Sequence, residues 1–163
     1  MPPADHPRGT APEEPGPGLD VVHQLRAVTV ELDLLAADFA RRNGLHPTDL
    51  RALIQLLDAA RSGTAVTPGR LGAALGLNSA GTTSLIDRLE RLGHVRRLRD
   101  PHDGRRVLLE VDERATALGR SFFGPLIDHV VGEVETMPPA ELAAVRRFLA
   151  HVRTGIEEHR EQG

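Results

Sequence analysis

Between Thr67 and Val111 a short capped helix, a polar-faced second helix and a charged hairpin follow one another with almost no connecting chain. Thr67 before Pro68 marks a helix start, because a threonine oxygen accepts from the orphan amides two or three residues on and proline is pre-set for the first helical position. Leu71 and Leu75, four apart, form the buried face, and Gly76 suits the left-handed residue that closes such a helix. Only Leu77 and Asn78 precede the next helical pattern, so the two helices must cross steeply around a shared apolar seam.

Asn78 or Ser79 caps the second helix. Leu85, Ile86, Leu89 and Leu92 are expected at its buried positions, which turns Ser79, Ala80, Thr83, Ser84, Asp87, Arg88 and Arg91 to other sides. A Ser, Thr and Arg face is also what a merely solvated helix shows. The segment after Gly93 changes the balance. Val95–Arg99 and Arg105–Val111 are strand-like and flank Asp100, Pro101, His102, Asp103 and Gly104, a run of turn formers. From Asp87 to Arg106 seven arginines stand against Asp87, Glu90, Asp100 and Asp103, a local excess of three positive charges.

Two steeply crossed helices followed by a hairpin define a winged helix-turn-helix. Short side chains at the start of its second helix would let the backbone approach base edges, with arginines further along reaching phosphates. The whole chain carries a net charge of −3, so general basicity cannot attract nucleic acid and any binding must use this local patch. Double-stranded DNA is therefore the expected partner. Asn78, Ser79, Ala80, Thr82, Thr83, Ser84, Arg88, Arg97, Arg99, Asp103, Arg105 and Arg106 are the candidate contact residues. Arg105 is placed to enter a minor groove, with Asp103 orienting Arg105 or Arg97 through a charge-assisted bond.

The run LGLNSAGTTSLIDRLERLGHVRR from Leu75 to Arg97, followed by RDPHDGR from Arg99 to Arg105, resembles the multiple-antibiotic-resistance regulator (MarR) family. Gly93, Arg97 and the pair Asp103 and Arg105 fall where that family's pattern has them, and the resemblance extends from about Leu19 to Ile156. It departs at Ser84, where many members carry arginine, and at Gly81, where they carry threonine or serine. Gly81 costs the helix about 1 kcal/mol relative to alanine. Val111 and Asp112 replace the family's Leu-Thr, and aspartate keeps the helix cap.

Outside this centre, Val21, Leu25, Val28, Leu32, Leu35 and Phe39 alternate spacings of four and three. Leu142, Val145, Leu149, Val152 and Ile156 do the same near the other end. Such seams call for a partner helix, supplied either within the chain or by a second copy. The resemblance implies the second copy, since MarR proteins dimerise through their terminal helices. The expected interface is Val21, Leu25, Val28, Leu142, Val145, Leu149, Val152 and Ile156, and a two-fold dimer implies a pseudo-palindromic operator. A further helix from about Pro47 to Arg61 is expected to bury Leu50, Leu53, Ile54 and Leu57. Asp112 opens a long helix expected to kink or break near Gly124 and Pro125.

The expected fold is mainly α with a small β-wing, in the order α-α-β-α-α-β-β-α-α, the first strand being Thr64–Val66. Its parts are a disordered tail at 1–18 with nine Pro or Gly, a dimerisation helix at 19–45, a DNA-binding lobe at 46–111 and C-terminal helices at 112–160. Within that lobe the recognition helix spans about 78–92 and the wing about 95–111. A length of 163 residues with 40% apolar content suits one soluble domain. No apolar run approaches the roughly 18 residues of a membrane span, and no secretory signal is evident, so a cytoplasmic, nucleoid-associated bacterial protein is expected.

The chain has no cysteine, which removes disulfides, thiolate metal sites and the thiol sensing used by some MarR proteins. All 20 basic side chains are arginine, a uniformity that fits codon bias better than a DNA-binding trait. His129 with Glu133, and His151 with His159, share helix faces but join no denser cluster, so no metal and no cofactor are expected. No catalytic triad order, phosphate loop or carboxylate pair stands out, and no enzyme activity is expected.

The resemblance implies a ligand-responsive repressor whose DNA affinity falls when a small aromatic or anionic molecule binds between the dimer helices and the DNA-binding lobe. Asp33, Phe39, His46, Asp49 and Arg51 are the candidate lining residues, and His46 otherwise caps its helix or faces water. The alternatives are a helical protein-interaction module that kept the fold and lost operator binding, and a zinc-responsive regulator.

Overall fold

A computed structural model describes residues 16–162. The elements are α1 (Pro17–Arg42), α2 (Pro47–Arg61), α3 (Pro68–Leu75), α4 (Ser79–Arg91), β1 (Val95–Arg99), β2 (Val107–Val111), α5 (Glu113–Glu135) and α6 (Pro139–Gln162). The expected tail at 1–18 falls largely outside the described residues, and its boundary moves: Pro17 and Gly18 already belong to α1. Proline at a first helical position needs no amide partner, so the helix extends two residues ahead of Leu19.

Local chemistry sets most of the ends. Thr67 Oγ1 accepts from the Arg70 amide at 3.3 Å, and Asn78 Oδ1 accepts from the Gly81 amide at 2.8 Å. Gly76 and Gly93 take φ of 67° and 72°, the left-handed region where a side chain would be strained. Gly93 lets the His94 amide reach back to the Leu89 carbonyl at 2.9 Å and its own amide reach Glu90 at 2.9 Å, the double bond of a Schellman ending. α5 is capped by Asp112, which accepts from the Arg114 amide at 2.9 Å.

The wing is an antiparallel pair in which Val95 faces Val111 and Arg99 faces Val107. Two strands, not three, make the sheet among the described residues. The segment Thr64–Val66 contributes a single ladder-like bond, from the Leu109 amide to the Val66 carbonyl at 2.9 Å. Three residues between a helix end and a helix cap leave no length for a second bond. Arg105 and Arg106 also lie outside β2, because the Arg106 amide turns back to the Asp103 carbonyl at 2.8 Å and closes the tip.

The core gathers Phe39, Ala40, Leu45, Leu50, Ala52, Leu53, Leu56, Leu71, Leu85, Ile86, Leu89, Val95 and Leu109. Leu92 is exposed, because the helix ends there as its own cap. On α2 the buried face runs through Asp49, Ala52, Leu53 and Leu56, so Ile54 faces outward and Leu57 is half-buried. α5 runs unbroken through Gly124 and Pro125. Pro125 withholds only the one amide that would bond the Ser121 carbonyl, and a helix anchored on both sides tolerates that loss.

Phe39 of α1 meets Phe122 and Phe123 of α5 with ring centroids 5.0 Å apart in both pairs. This aromatic knot joins the long helices to the lobe containing the wing. Beyond it α1 and α6 bury almost nothing: Phe39 and Ala40 are the only buried residues of α1. Among the described residues no helix is long and apolar enough to cross a membrane.

Candidate nucleic-acid interface

α3 and α4 cross where Gly72 and Thr82 touch. A β-carbon on Gly72 would overlap Thr82 Oγ1, so only glycine permits this approach. Thr82 is buried there and its hydroxyl donates to the Asn78 carbonyl at 2.9 Å. The expected DNA contact at Thr82 is therefore corrected: its side chain faces α3. Asn78, Ser79, Ala80, Thr83 and Ser84 remain exposed along the start of α4. Thr83 Oγ1 donates to the Ser79 carbonyl at 3.0 Å and Asn78 Oδ1 is engaged as the cap. That leaves the Asn78 amide nitrogen, the Ser79 and Ser84 hydroxyls and the Thr83 lone pairs for an outside partner.

The arginines divide sharply. Arg88 is tied to Asp49, with Nε at 3.0 and 3.1 Å from the two carboxylate oxygens and Nη2 at 2.5 Å from Oδ1. Hydrogen bonding to Asp49 holds the Arg88 guanidinium further above its ordinary pKa, against the opposing cost of burial. Arg97 reaches from β1 to Glu90 and, at 2.6 Å, to Asp87 of α4. Arg96 bonds Glu110 at 2.9 Å, with Asp112 at 3.6 Å, and Arg106 lies 3.5 Å from Asp100. Arg91, Arg99 and Arg105 form no ion pair among the described residues. Both side chains hold α4 to its neighbours while keeping part of their surface open to solvent, 38% for Arg88 and 32% for Arg97.

The wing tip is built by two aspartates. Asp100 is buried and accepts from the His102 amide at 2.9 Å. That bond is the main cause holding its carboxyl below the ordinary aspartate value; the Asp103 amide, Arg106 and His102 add to it, while burial opposes it. Asp103 accepts from the backbone amide of Arg105 at 3.1 Å. It thus shapes the turn and does not orient the Arg105 or Arg97 guanidinium, contrary to expectation. The short loop leaves Arg105 exposed at the tip, a cation without an ion pair among the described residues.

Of the five candidate ligand-lining residues, the structure brings together His46 and Asp49, whose Oδ2 accepts from the His46 amide at 2.9 Å. Phe39 is closed in by Phe122 and Phe123, whose outer face has the Arg42 guanidinium 5.8 Å from the Phe122 centroid. Asp49 is fully buried with Arg88, and His46 caps α2, its ring nitrogen accepting from the Thr48 amide at 3.3 Å. Asp33 and Arg51 are exposed. A crevice of about 190 Å³ does exist between α3 and α4, lined by Pro68, Gly69, Gly72, Leu77, Ser79, Thr82 and Thr83, none of them among the five. Among the described residues no three His, Asp or Glu side chains gather as metal ligands.

Of the expected interface residues, Val21, Val28, Leu149 and Ile156 are exposed, while Leu25, Leu142, Val145 and Val152 are half-buried. The Asp49–Arg88 pair was not foreseen, and no local pattern announces a contact across 39 positions. The Arg97 latch had a faint signal, since Asp87 and Glu90 sit three apart on one face of α4.

The crossed pair α3 and α4, the two-stranded wing after it, α2 beside it and the three long helices α1, α5 and α6 define a winged helix-turn-helix protein. The family model described as MarR family matches residues 43–106. An HTH-type transcriptional regulator of Bacillus subtilis strain 168, YcgE, itself uncharacterized, is 32% identical over 123 residues, covering 76% of this chain and 77% of its own. A mutant of S. aureus MepR superposes with a TM-score of 0.66 at 17% identity, over 83% of this chain and 96% of MepR. MepR in complex with DNA gives a TM-score of 0.54 at 16% identity, over 83% and 98%. MepR bound to ethidium bromide gives 0.55 at 16%, over 83% and 95%. The chain belongs to the MarR family of transcriptional regulators.

Proposed function

We propose that the protein is a homodimeric repressor that reads a pseudo-palindromic operator, with α4 in the major groove and the wing arginines in the minor groove. The observation that carries this reading is the sorting of the basic residues. Of the seven arginines from Arg88 to Arg106, only Arg91, Arg99 and Arg105 lack an ion pair among the described residues, and they lie on α4, at the end of β1 and at the wing tip. The exposed Ser79, Ala80, Thr83 and Ser84 at the start of α4 complete a face that is short-chained, then cationic. In a chain of net charge −3, these unpaired arginines form a local cationic patch that could attract phosphate.

Dimerisation is supported by the apolar residues left bare on α1 and α6, a seam that a second copy would cover. The two recognition helices would then stand about one DNA turn apart. Ligand response enters as a population shift: a small aromatic or anionic molecule that prefers the wrong helix spacing weakens DNA binding by its differential affinity, ordinarily about 1–3 kcal/mol. MepR has been seen with ethidium, an aromatic cation, and with DNA, which makes aromatic molecules of either charge the first to screen. The deciding experiment is an electrophoretic shift at low salt with DNA flanking the protein's own gene. Retarded bands that a cold specific competitor removes are expected. Failure to retard any fragment would sink the regulator reading.

A further inference from the structure

Asp49 is an aspartate with no exposed surface, and all of its hydrogen-bonding capacity is directed at two elements. Its Oδ2 accepts from the His46 amide at 2.9 Å, closing the capping box at the start of α2. The Arg88 guanidinium of α4 then spans both oxygens, with Nε at 3.0 and 3.1 Å and Nη2 at 2.5 Å. A buried carboxylate rarely improves on a well-packed apolar side chain in stability, yet it fixes geometry, because any arrangement without Arg88 strands the Asp49 charge away from water. The planar guanidinium makes this a fork with one favourable orientation, where a lysine would act as a point charge.

The consequence falls on the rotation of α4. Leu85, Ile86 and Leu89 bury its inner face, but apolar contacts are non-directional and permit small turns of the helix about its axis. Each residue of rotation is about 100°, so even a fraction of that changes which of Ser79, Ala80, Thr83 and Ser84 point outward. On its other flank α4 is gripped by Arg97 through Asp87 and Glu90. Those pairs are open to solvent at both ends, whereas in the Asp49 pair the carboxylate is closed off from water and only the Arg88 end is part-exposed. It also ties α4 to the α1–α2 joint, where Leu45 enters the core between them.

We propose that Asp49 is a positioning residue for DNA readout: through Arg88 it sets the rotation of α4, and so governs discrimination between operator and non-cognate DNA more than total DNA affinity. This rests on α4 being the recognition helix. Asp49→Asn keeps an acceptor for the His46 amide and removes the charge that holds the fork. Arg88→Lys keeps the charge and removes the fork, and it retains whatever a phosphate contact by Arg88 would supply.

The experiment measures affinity for operator and for unrelated duplex at a temperature where circular dichroism shows each variant as folded as the wild type. Both variants are expected to lose on the order of tenfold in the ratio of the two affinities, comparable to one lost base contact, with non-cognate binding unchanged. Hydrogen exchange on the same proteins without DNA is expected to quicken at the amides of Leu85–Arg91 while the β1–β2 amides stay as they were. An unchanged affinity ratio in both variants overturns the proposal, as does a loss shared equally by operator and unrelated DNA. Should Asp49→Asn fold poorly, Arg88→Lys decides the matter, since it leaves the carboxylate paired. If the wild type binds no DNA the regulator reading has failed, and unaltered exchange along α4 would then separately refute the positioning role.

Discussion

Gly72 and Thr82 occupy the same space that a β-carbon and a hydroxyl would contest, and this contact sets how closely α3 and α4 cross. The Thr82 hydroxyl cannot simply swing away, because it donates to the Asn78 carbonyl at 2.9 Å. Gly72→Ala should therefore cost about 1–3 kcal/mol through overpacking, read from the urea midpoint. A stability equal to the wild type would mean that the crossing relaxes more easily than the geometry implies.

Arg105 and Arg97 are both wing arginines, yet they should behave as opposites. Arg105→Ala removes an exposed cation at the tip, so DNA affinity should fall and the salt dependence of binding should lose about one unit of slope per wing contact, with melting temperature unchanged. Arg97→Ala breaks the exposed pairs with Asp87 and Glu90, and should change stability by about 1 kcal/mol or less. Its effect on DNA binding should appear without a matching change in the salt slope. Fluorescence anisotropy across a salt series separates the two.

Asp100 gives the wing a defined response to acid. Its carboxyl titrates below the ordinary aspartate value of 3.8, chiefly because the charged form accepts from the His102 amide. A depressed folded value means that its contribution is fully present above the unfolded value and is lost as pH falls through the folded one. The Asp100 carbon resonance should accordingly show a midpoint below 3.8. Arg106→Ala should move it upward, and a midpoint at or above the ordinary value would contradict this account of the tip.

Leu149 and Val28 stand bare on α6 and α1, at 51% and 55% exposure. Placing a carboxylate at either position should be harmless to an isolated protomer and disruptive in an apolar seam between two copies. Leu149→Asp should thus shift sedimentation from dimer towards monomer mass with little loss of helical signal. Dimers of wild-type strength in both Leu149→Asp and Val28→Asp would show that these faces are not the interface.

The caps and turns were legible because their causes lie within a few residues. Thr67, Asn78, Gly76, Gly93 and Asp112 each act on amides or carbonyls one to five positions away; Thr67, Gly76 and Asp112 cap their helices as read, and Asn78 takes the cap that the sequence left open between it and Ser79. The hairpin was legible for the same reason, except that the Asp103 carbonyl captured the Arg106 amide and shortened β2. Thr64–Val66 resembled a strand in composition but lacked the length to pair as one.

What required the tertiary structure was every property that depends on the relative rotation of two elements. Composition counted an excess of positive charge; it could not say that Asp49, 39 positions away, would take Arg88, or that Asp87 and Glu90 would take Arg97. Nor could it show that Thr82 turns towards Gly72 while Thr83 faces outward. Local hydrogen bonding writes helices, turns and their ends directly into neighbouring residues. Which arginine is left free, and which carboxylate is buried, is settled only when packing brings distant side chains within bonding distance, because a charge is neutralised by whatever stands beside it in space.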